Sequence, residues 1–173
     1  MNISNTKIAV KAALASAALT IAAGSVQAES QYVFTAIDTK RHGADVVDGN
    51  YAEAIARIRK DGKTDLGFSE STNLCIAYTK SGDSASALQS CNRAVEIARQ
   101  KNAMPFFGRW DSSLRSHADL DLVIALSNRG VVHVTNSDYE LAMQDLQEAK
   151  ALKPQYKAVN ANLARVEEKA AKF

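Results

Sequence analysis

Three stretches of the chain share one pattern of side chains, and the spacing between them limits what the chain can fold into. Each stretch begins at a turn and opens with an Asn or Asp that can cap a helix. An Ala follows four residues later, and an Ile, Cys or Leu after four more. The stretches are 49–58, 82–91 and 137–146. Ala54 and Ala87 are 33 residues apart, whereas Ala87 and Ala142 are 55 apart. The second spacing equals one unit of about 34 residues plus an insertion of about 21, which indicates a repeat of helical hairpins.

The most regular part of the chain is 126–154. Small residues stand where two helices would cross closely, a large apolar residue stands between two of them, and a proline ends the stretch. These residues are Gly130, Ala142, Ala149, Leu146 and Pro154. The arrangement resembles one unit of the tetratricopeptide repeat (TPR) family, a helix–turn–helix of about 34 residues. The stretch departs from the family at Leu126, Arg129 and His133, where the family prefers Trp, Leu and Tyr.

The resemblance implies an all-α fold of stacked antiparallel helix hairpins, a TPR-like α-solenoid with a C-terminal capping helix. The expected parts are a degenerate first unit at about 32–67, a second unit at 68–101, an insertion at about 100–122, a third unit at 123–156 and a capping helix at 157–173. The first helix of the first unit, around Val33–Gly43, matches the family poorly. The capping helix carries one apolar stripe. Its members are Tyr156, Val159, Leu163, Val166 and Ala170.

Residues 1–28 have the three parts of a secretory signal peptide. Lys7 and Lys11 give a basic start, an apolar run follows at 12–23, and Ala28 ends a small-residue cleavage motif. The apolar run would span about 18 Å as a helix, against about 30 Å of hydrocarbon, so we expect no stable membrane anchor after cleavage. The mature chain would be 29–173, with the bacterial periplasm as its expected location and the extracellular space as the second choice.

The mature chain has no excess of either charge. The 21 Lys and Arg residues of the whole chain, less the two in the signal peptide, leave 19, which equals the number of Asp and Glu residues. A neutral chain without a basic block releases few counterions on a phosphate backbone, so nucleic acid is not an expected partner. The same neutrality argues against attraction to an anionic membrane surface. The resemblance to the TPR family implies a protein or a peptide as the partner.

Two cysteines stand on either side of a predicted turn at Gly82-Asp83. Cys75 lies seven residues before Gly82 and Cys91 lies eight residues after Asp83, so a hairpin at this turn brings them level. In an oxidising compartment this favours a disulfide. One alternative is a pair of buried thiols that pack as small apolar side chains. A redox-active pair is less in keeping with the sequence, which has no C-x-x-C motif.

In TPR proteins the first helices of the units line a concave groove that commonly receives an extended peptide. The peptide is often bound by an Asn that stands one residue before the position where the family prefers Leu. In this sequence the Asn recurs as Asn73, Asn128 and Asn162. One side-chain amide can pair with a donor and an acceptor of a peptide backbone at once. The neighbouring groove positions would be Thr72, Ile76, Thr79, Lys80, Ser127, Val131 and Val134. The alternative is that the Asn amides bond backbone groups within the stack.

The predicted insertion contains a cluster of aromatic residues, Phe106, Phe107 and Trp110. One interpretation is that these side chains fold back over a gap between hairpins. The other is that they form an exposed anchor for a partner protein, because aromatic side chains contribute strongly to interfaces.

Chemical motifs for catalysis are missing from the sequence. His42, His117 and His133 are scattered, and no Cys/His cluster has the spacing of a metal site. No glycine-rich phosphate loop is present, so we expect no catalytic residues, no metal and no cofactor. The leading hypothesis is a noncatalytic peptide- or protein-binding adaptor of the periplasm. The second is a structural subunit of an envelope assembly, held through its outer faces and the aromatic insertion. An enzyme on a helical scaffold is the third.

Overall fold

A computed structural model describes residues 32–38, 42–60, 66–103 and 112–172, with side chains from 116 onward in the last range. These residues form seven helices and no strand, which confirms the predicted all-α class for the described part. The helices are α1 (Gly43–Val47), α2 (Tyr51–Lys60), α3 (Phe68–Lys80), α4 (Ser84–Ala103), α5 (Ser112–Thr135), α6 (Tyr139–Leu152) and α7 (Lys157–Ala170). None of the described helices combines the length and the apolar composition that crossing a membrane requires.

Three turns between helices have the same backbone geometry. In each, a residue with positive φ (Gly49, Gly82 or Ser137) precedes an Asn or Asp whose backbone N–H reaches a carbonyl five residues back. The three N···O distances are 2.7, 3.0 and 2.8 Å. Glycine adopts positive φ without steric cost, which explains its use at two of the three turns. These are the turns at which the three similar stretches of sequence begin.

The longer helices pack in an ordered arrangement. Each helix from α2 to α6 packs on the next one along the chain, α3 also contacts α5, and α5 also contacts α7. Helices α3, α5 and α7 therefore lie side by side, α4 packs between α3 and α5, and α6 packs between α5 and α7. Small residues permit the close crossings, since a Cβ at Gly130 would lie 3.0 Å from Cγ of Leu146 and 3.4 Å from the carbonyl oxygen of Ala142.

Cys75 of α3 and Cys91 of α4 lie at disulfide distance, as the hairpin argument predicts. Their Cα atoms are 4.9 Å apart, and both side chains are buried. They belong to an apolar cluster that includes Leu74, Tyr78 and Ala87. The pair therefore joins the two helices of one hairpin within its core.

The chain departs from the sequence-based expectation at two places. The first helix expected around Val33–Gly43 does not form over residues 32–38, which have no regular secondary structure up to Ile37 and a turn at Asp38. Ala170 is exposed, although Val159, Leu163 and Val166 of the same predicted stripe are buried. Helix α5 begins at Ser112, inside the predicted insertion at about 100–122. The aromatic cluster of the insertion and the predicted signal peptide lie outside the described residues.

The disulfide is expected to raise the free energy of unfolding by about 3 kcal/mol, because it closes a loop of 16 residues in the unfolded chain. Urea unfolding of the oxidised and the reduced protein measures this difference without a change of sequence. Thiol labelling of the denatured, unreduced protein is the control. Two reactive thiols per chain would contradict the pairing.

Candidate functional site

The inner surface formed by α3, α5 and α7 carries one buried asparagine from each helix. Asn73, Asn128 and Asn162 are 0–1% exposed. A buried amide without hydrogen-bond partners lowers the stability of the folded protein. The partners of these three side chains therefore indicate what the surface binds.

All three amides bond the backbone of the extended residues 32–38, here called the N-terminal segment. Each Oδ1 accepts a hydrogen bond from a segment N–H, and each Nδ2 donates one to the carbonyl oxygen of the same segment residue. The pairs are Asn162 with Val33 (2.7 and 2.8 Å), Asn128 with Thr35 (2.9 and 2.9 Å) and Asn73 with Ile37 (3.0 and 3.2 Å). Asn162 Nδ2 also donates to Ser127 Oγ at 3.3 Å. The segment therefore crosses α7, α5 and α3 in that order.

The contacts fall on every second residue because of the geometry of an extended chain. In such a chain, the N–H and C=O groups of alternate residues point to the same side. Each Asn amide offers one acceptor and two donors, which satisfies both backbone groups of one residue. The three amides consequently recognise an extended backbone, and they make no demand on its side chains.

Side chains of the N-terminal segment pack on both sides of its backbone. Tyr32 packs against a cluster between α5, α6 and α7, whereas Phe34 and Ala36 pack against a cluster of α1, α2 and α3 residues. Ile37 contacts the cluster that includes Phe68. The Phe34 ring also lies 5.4 Å from the ammonium nitrogen of Lys80, within range of a cation–π interaction.

Gly43 at the start of α1 fits the end of the segment closely. A Cβ atom at this position would overlap the carbonyl oxygen of Ile37 and lie 2.7 Å from the Cα of Asp38. Gly43 is buried, and its φ is not in the positive range, so the close approach of the segment backbone explains the glycine better than its own conformation does.

The other predicted groove residues surround this segment in different ways. Ile76 and Val134 belong to the clusters on which Phe34 and Tyr32 pack. Thr79 Oγ1 donates to the carbonyl oxygen of Cys75 at 2.6 Å, so its hydroxyl serves the helix itself. Thr72, Ser127 and Val131 are buried. The hydroxyl of Thr72 has no hydrogen-bond partner among the described residues.

Two contacts to the segment escaped the sequence-based reasoning. Tyr156 donates a hydrogen bond from its Oη to Thr35 Oγ1 at 3.3 Å, although the sequence suggested only an apolar role for it. The second is the close approach of the segment backbone to Gly43. The signal that points to the segment is the run of aromatic and β-branched residues at 32–37, which favours an extended chain over a helix.

A second polar cluster lies between α5 and α6, away from the segment. Arg129 donates two hydrogen bonds to the carboxylate of Asp145, at 2.7 and 2.6 Å, and a third to Asn92 Oδ1 at 3.0 Å. His133 is buried one turn further along α5, with its Nε2 3.8 Å from Asp145 Oδ2. Burial lowers the pKa of His133, the carboxylates of Asp145 and Asp138 oppose this shift, and the charge of Arg129 adds to it. Arg129 and Asp145 thus form an ion pair within the hairpin, and burial disfavours the charged form of the His133 ring beside it.

No three His, Cys, Asp or Glu side chains come together as metal ligands in the part of the chain that the structure describes. No protein-family model matches the sequence, and neither a curated protein nor a solved structure shows significant similarity to it. The comparisons therefore add nothing to the geometry of the surface that carries the three asparagines.

Hydrogen exchange should show the alternation of the contacts. The backbone amides of Val33, Thr35 and Ile37 are expected to exchange more slowly than those of Phe34 and Ala36, because only the first three donate to Asn side chains among the described residues.

The variant Asn128→Ala tests one of these contacts. It removes two hydrogen bonds, worth about 1–3 kcal/mol together, and should speed exchange at Thr35 most. Uniformly fast exchange over 32–38 would contradict the placement of the segment.

The pH dependence of stability should depend on His133. Its lowered pKa means that below about pH 6.5 the unfolded chain takes up a proton that the folded chain resists, so the free energy of unfolding falls as the pH falls. His133→Gln keeps a polar side chain but removes the titration, and it should reduce the difference between urea unfolding at about pH 7.5 and about pH 5. The matched control is His117→Gln at an exposed position of α5. The same difference in His133→Gln and in the wild type would refute this assignment.

Proposed function

We propose that the protein is a noncatalytic adaptor with a TPR-like helical-repeat groove, which binds an extended segment of a partner polypeptide. The observation that carries the proposal is the set of three Asn amides, each of which pairs with both backbone groups of one residue, so that together they bind every second residue of an extended chain. Helices α3, α5 and α7 take the place of the groove-lining helices, with α4 and α6 behind them. The expected groove of the TPR resemblance supports the same conclusion from the sequence.

The chemistry of the groove favours a ligand that is read through its backbone. Backbone pairing gives affinity that tolerates sequence, and pockets for side chains add selectivity. The surroundings of the segment are apolar clusters with one nearby cation, Lys80, above an aromatic ring. An uncharged, partly aromatic stretch of polypeptide suits this surface better than a charged peptide.

The proposed place of action is the bacterial periplasm. The signal-like residues 1–28 support export, and the pairing of Cys75 with Cys91 is weakly compatible with an oxidising compartment. Within this compartment the adaptor would hold a segment of an exported or envelope protein.

Site-specific photo-crosslinking in the source cell tests the proposal. A photoreactive residue at Lys80, next to the Phe34 ring, should give an intermolecular product whose mapped partner residues lie in an extended, uncharged segment of another protein. A photoreactive residue at Gln147, exposed on α6, is the matched control and should give little product. A synthetic peptide with the mapped sequence should then bind the purified protein. Products from position 147 and none from position 80 would refute groove binding and favour a structural subunit held through its outer faces.

A further inference from the structure

We infer that the N-terminal segment is an intramolecular ligand that competes with the partner for the groove, and that the partner presents a segment of the same chemistry. This inference rests on the proposed function, because it concerns the regulation and the ligand class of the same groove. The competing partner would be an uncharged, extended stretch of polypeptide with aromatic residues two positions apart.

The way in which the segment is held makes it replaceable. Its residues form no helix or strand, and the backbone hydrogen bonds described for 32–38 all go to the three Asn side chains. An amide side chain pairs equally well with the N–H and C=O of any extended polypeptide. Another extended chain can therefore form the same six bonds to these side chains.

The side chains of the segment define the ligand class. Tyr32 packs on an apolar cluster of α5, α6 and α7 residues, whereas Phe34 and Ala36 pack on a cluster of α1, α2 and α3 residues. Val33, which is 38% exposed, is least constrained by its surroundings. The one charged residue of the segment, Asp38, is exposed. The pattern aromatic–any–aromatic–Thr–small thus describes what fits, because the hydroxyl of Thr35 accepts a hydrogen bond from Tyr156.

Competition follows from the number of binding groups. The groove has one set of Asn amides, and all three are buried beneath the segment. A partner segment can bind only the fraction of molecules from which the N-terminal segment has withdrawn, so its apparent affinity falls in proportion to that fraction. Any change that weakens the hold on the segment should strengthen the binding of a partner.

Proline substitutions in the full mature chain test this competition. Val33→Pro removes the N–H that donates to Asn162, whereas the matched control Ala36→Pro removes an N–H with no described acceptor. Proline at either position also restricts the preceding residue to extended conformations, so the two variants differ chiefly in the lost hydrogen bond. The double variant Val33→Pro/Thr35→Pro removes two of the three N–H donors.

The probe is a fluorescent synthetic peptide with the sequence of 31–38, followed by anisotropy. We expect the peptide to bind Val33→Pro about threefold more tightly than the wild type, and the double variant about tenfold or more, with Ala36→Pro close to the wild type. A peptide N-methylated at the nitrogen that corresponds to Thr35 should bind more weakly than one N-methylated at the nitrogen that corresponds to Ala36. Such alternation would tie the binding to the Asn amides.

The outcomes separate the two proposals. Equal, N-methylation-sensitive binding to all four proteins would overturn the competition but leave groove binding intact. Binding to none of them would overturn the competition and count against the proposed function as well. Concentration-dependent dimers of the wild type, with residues 32–38 crosslinked to another copy, would overturn the intramolecular arrangement in favour of exchange between copies.

Discussion

Pairing between three buried side-chain amides and an extended backbone is the constraint on which the rest of the structure depends. Each amide group left unsatisfied in the interior would cost about 1–3 kcal/mol, so the inner helices need an extended polypeptide between them. Asn73, Asn128 and Asn162 stand on three different helices, and their amides meet residues at a spacing of two. The register between α3, α5 and α7 is therefore matched to the repeat of an extended chain. Small residues such as Gly130, which allow neighbouring helices to cross closely, help to set that register.

Local signals in the sequence predict the helical hairpins well. The turns at Gly49, Gly82 and Ser137 share one backbone geometry, and an Asn or Asp at the next position marks each of them in the sequence. The pairing of Cys75 with Cys91 follows from the position of one turn. The resemblance to a repeat family also leads to three asparagines, and their amides bond backbone groups of the chain itself, which is the alternative to peptide binding that the sequence left open. All these inferences use residues that lie close together in the chain or that repeat along it.

What the asparagines bind could not be predicted in the same way. The partner of Asn162 is Val33, 129 residues away in the sequence, and no periodic signal connects the two. The repeat count alone assigns residues 32–38 to the first helix of a degenerate unit, although this part of the chain matches the family poorly. Their aromatic and β-branched composition opposes a helix, and the tertiary contacts decide the outcome. The ion pair between Arg129 and Asp145 could not be predicted for a related reason. From the sequence, an Arg at a position where the family prefers Leu indicates only a departure from the family pattern.

The order of the contacts along the chain has a consequence for biosynthesis. Val33 leaves the ribosome well before Asn162, and a chain that has not yet produced α7 can offer the N-terminal segment only two of its three amide partners. A nascent chain would therefore hold the segment less firmly than the finished protein does. Loop closure over so long a stretch of chain also carries an entropic cost. The full set of six hydrogen bonds to the segment is therefore possible only once α7 has been made.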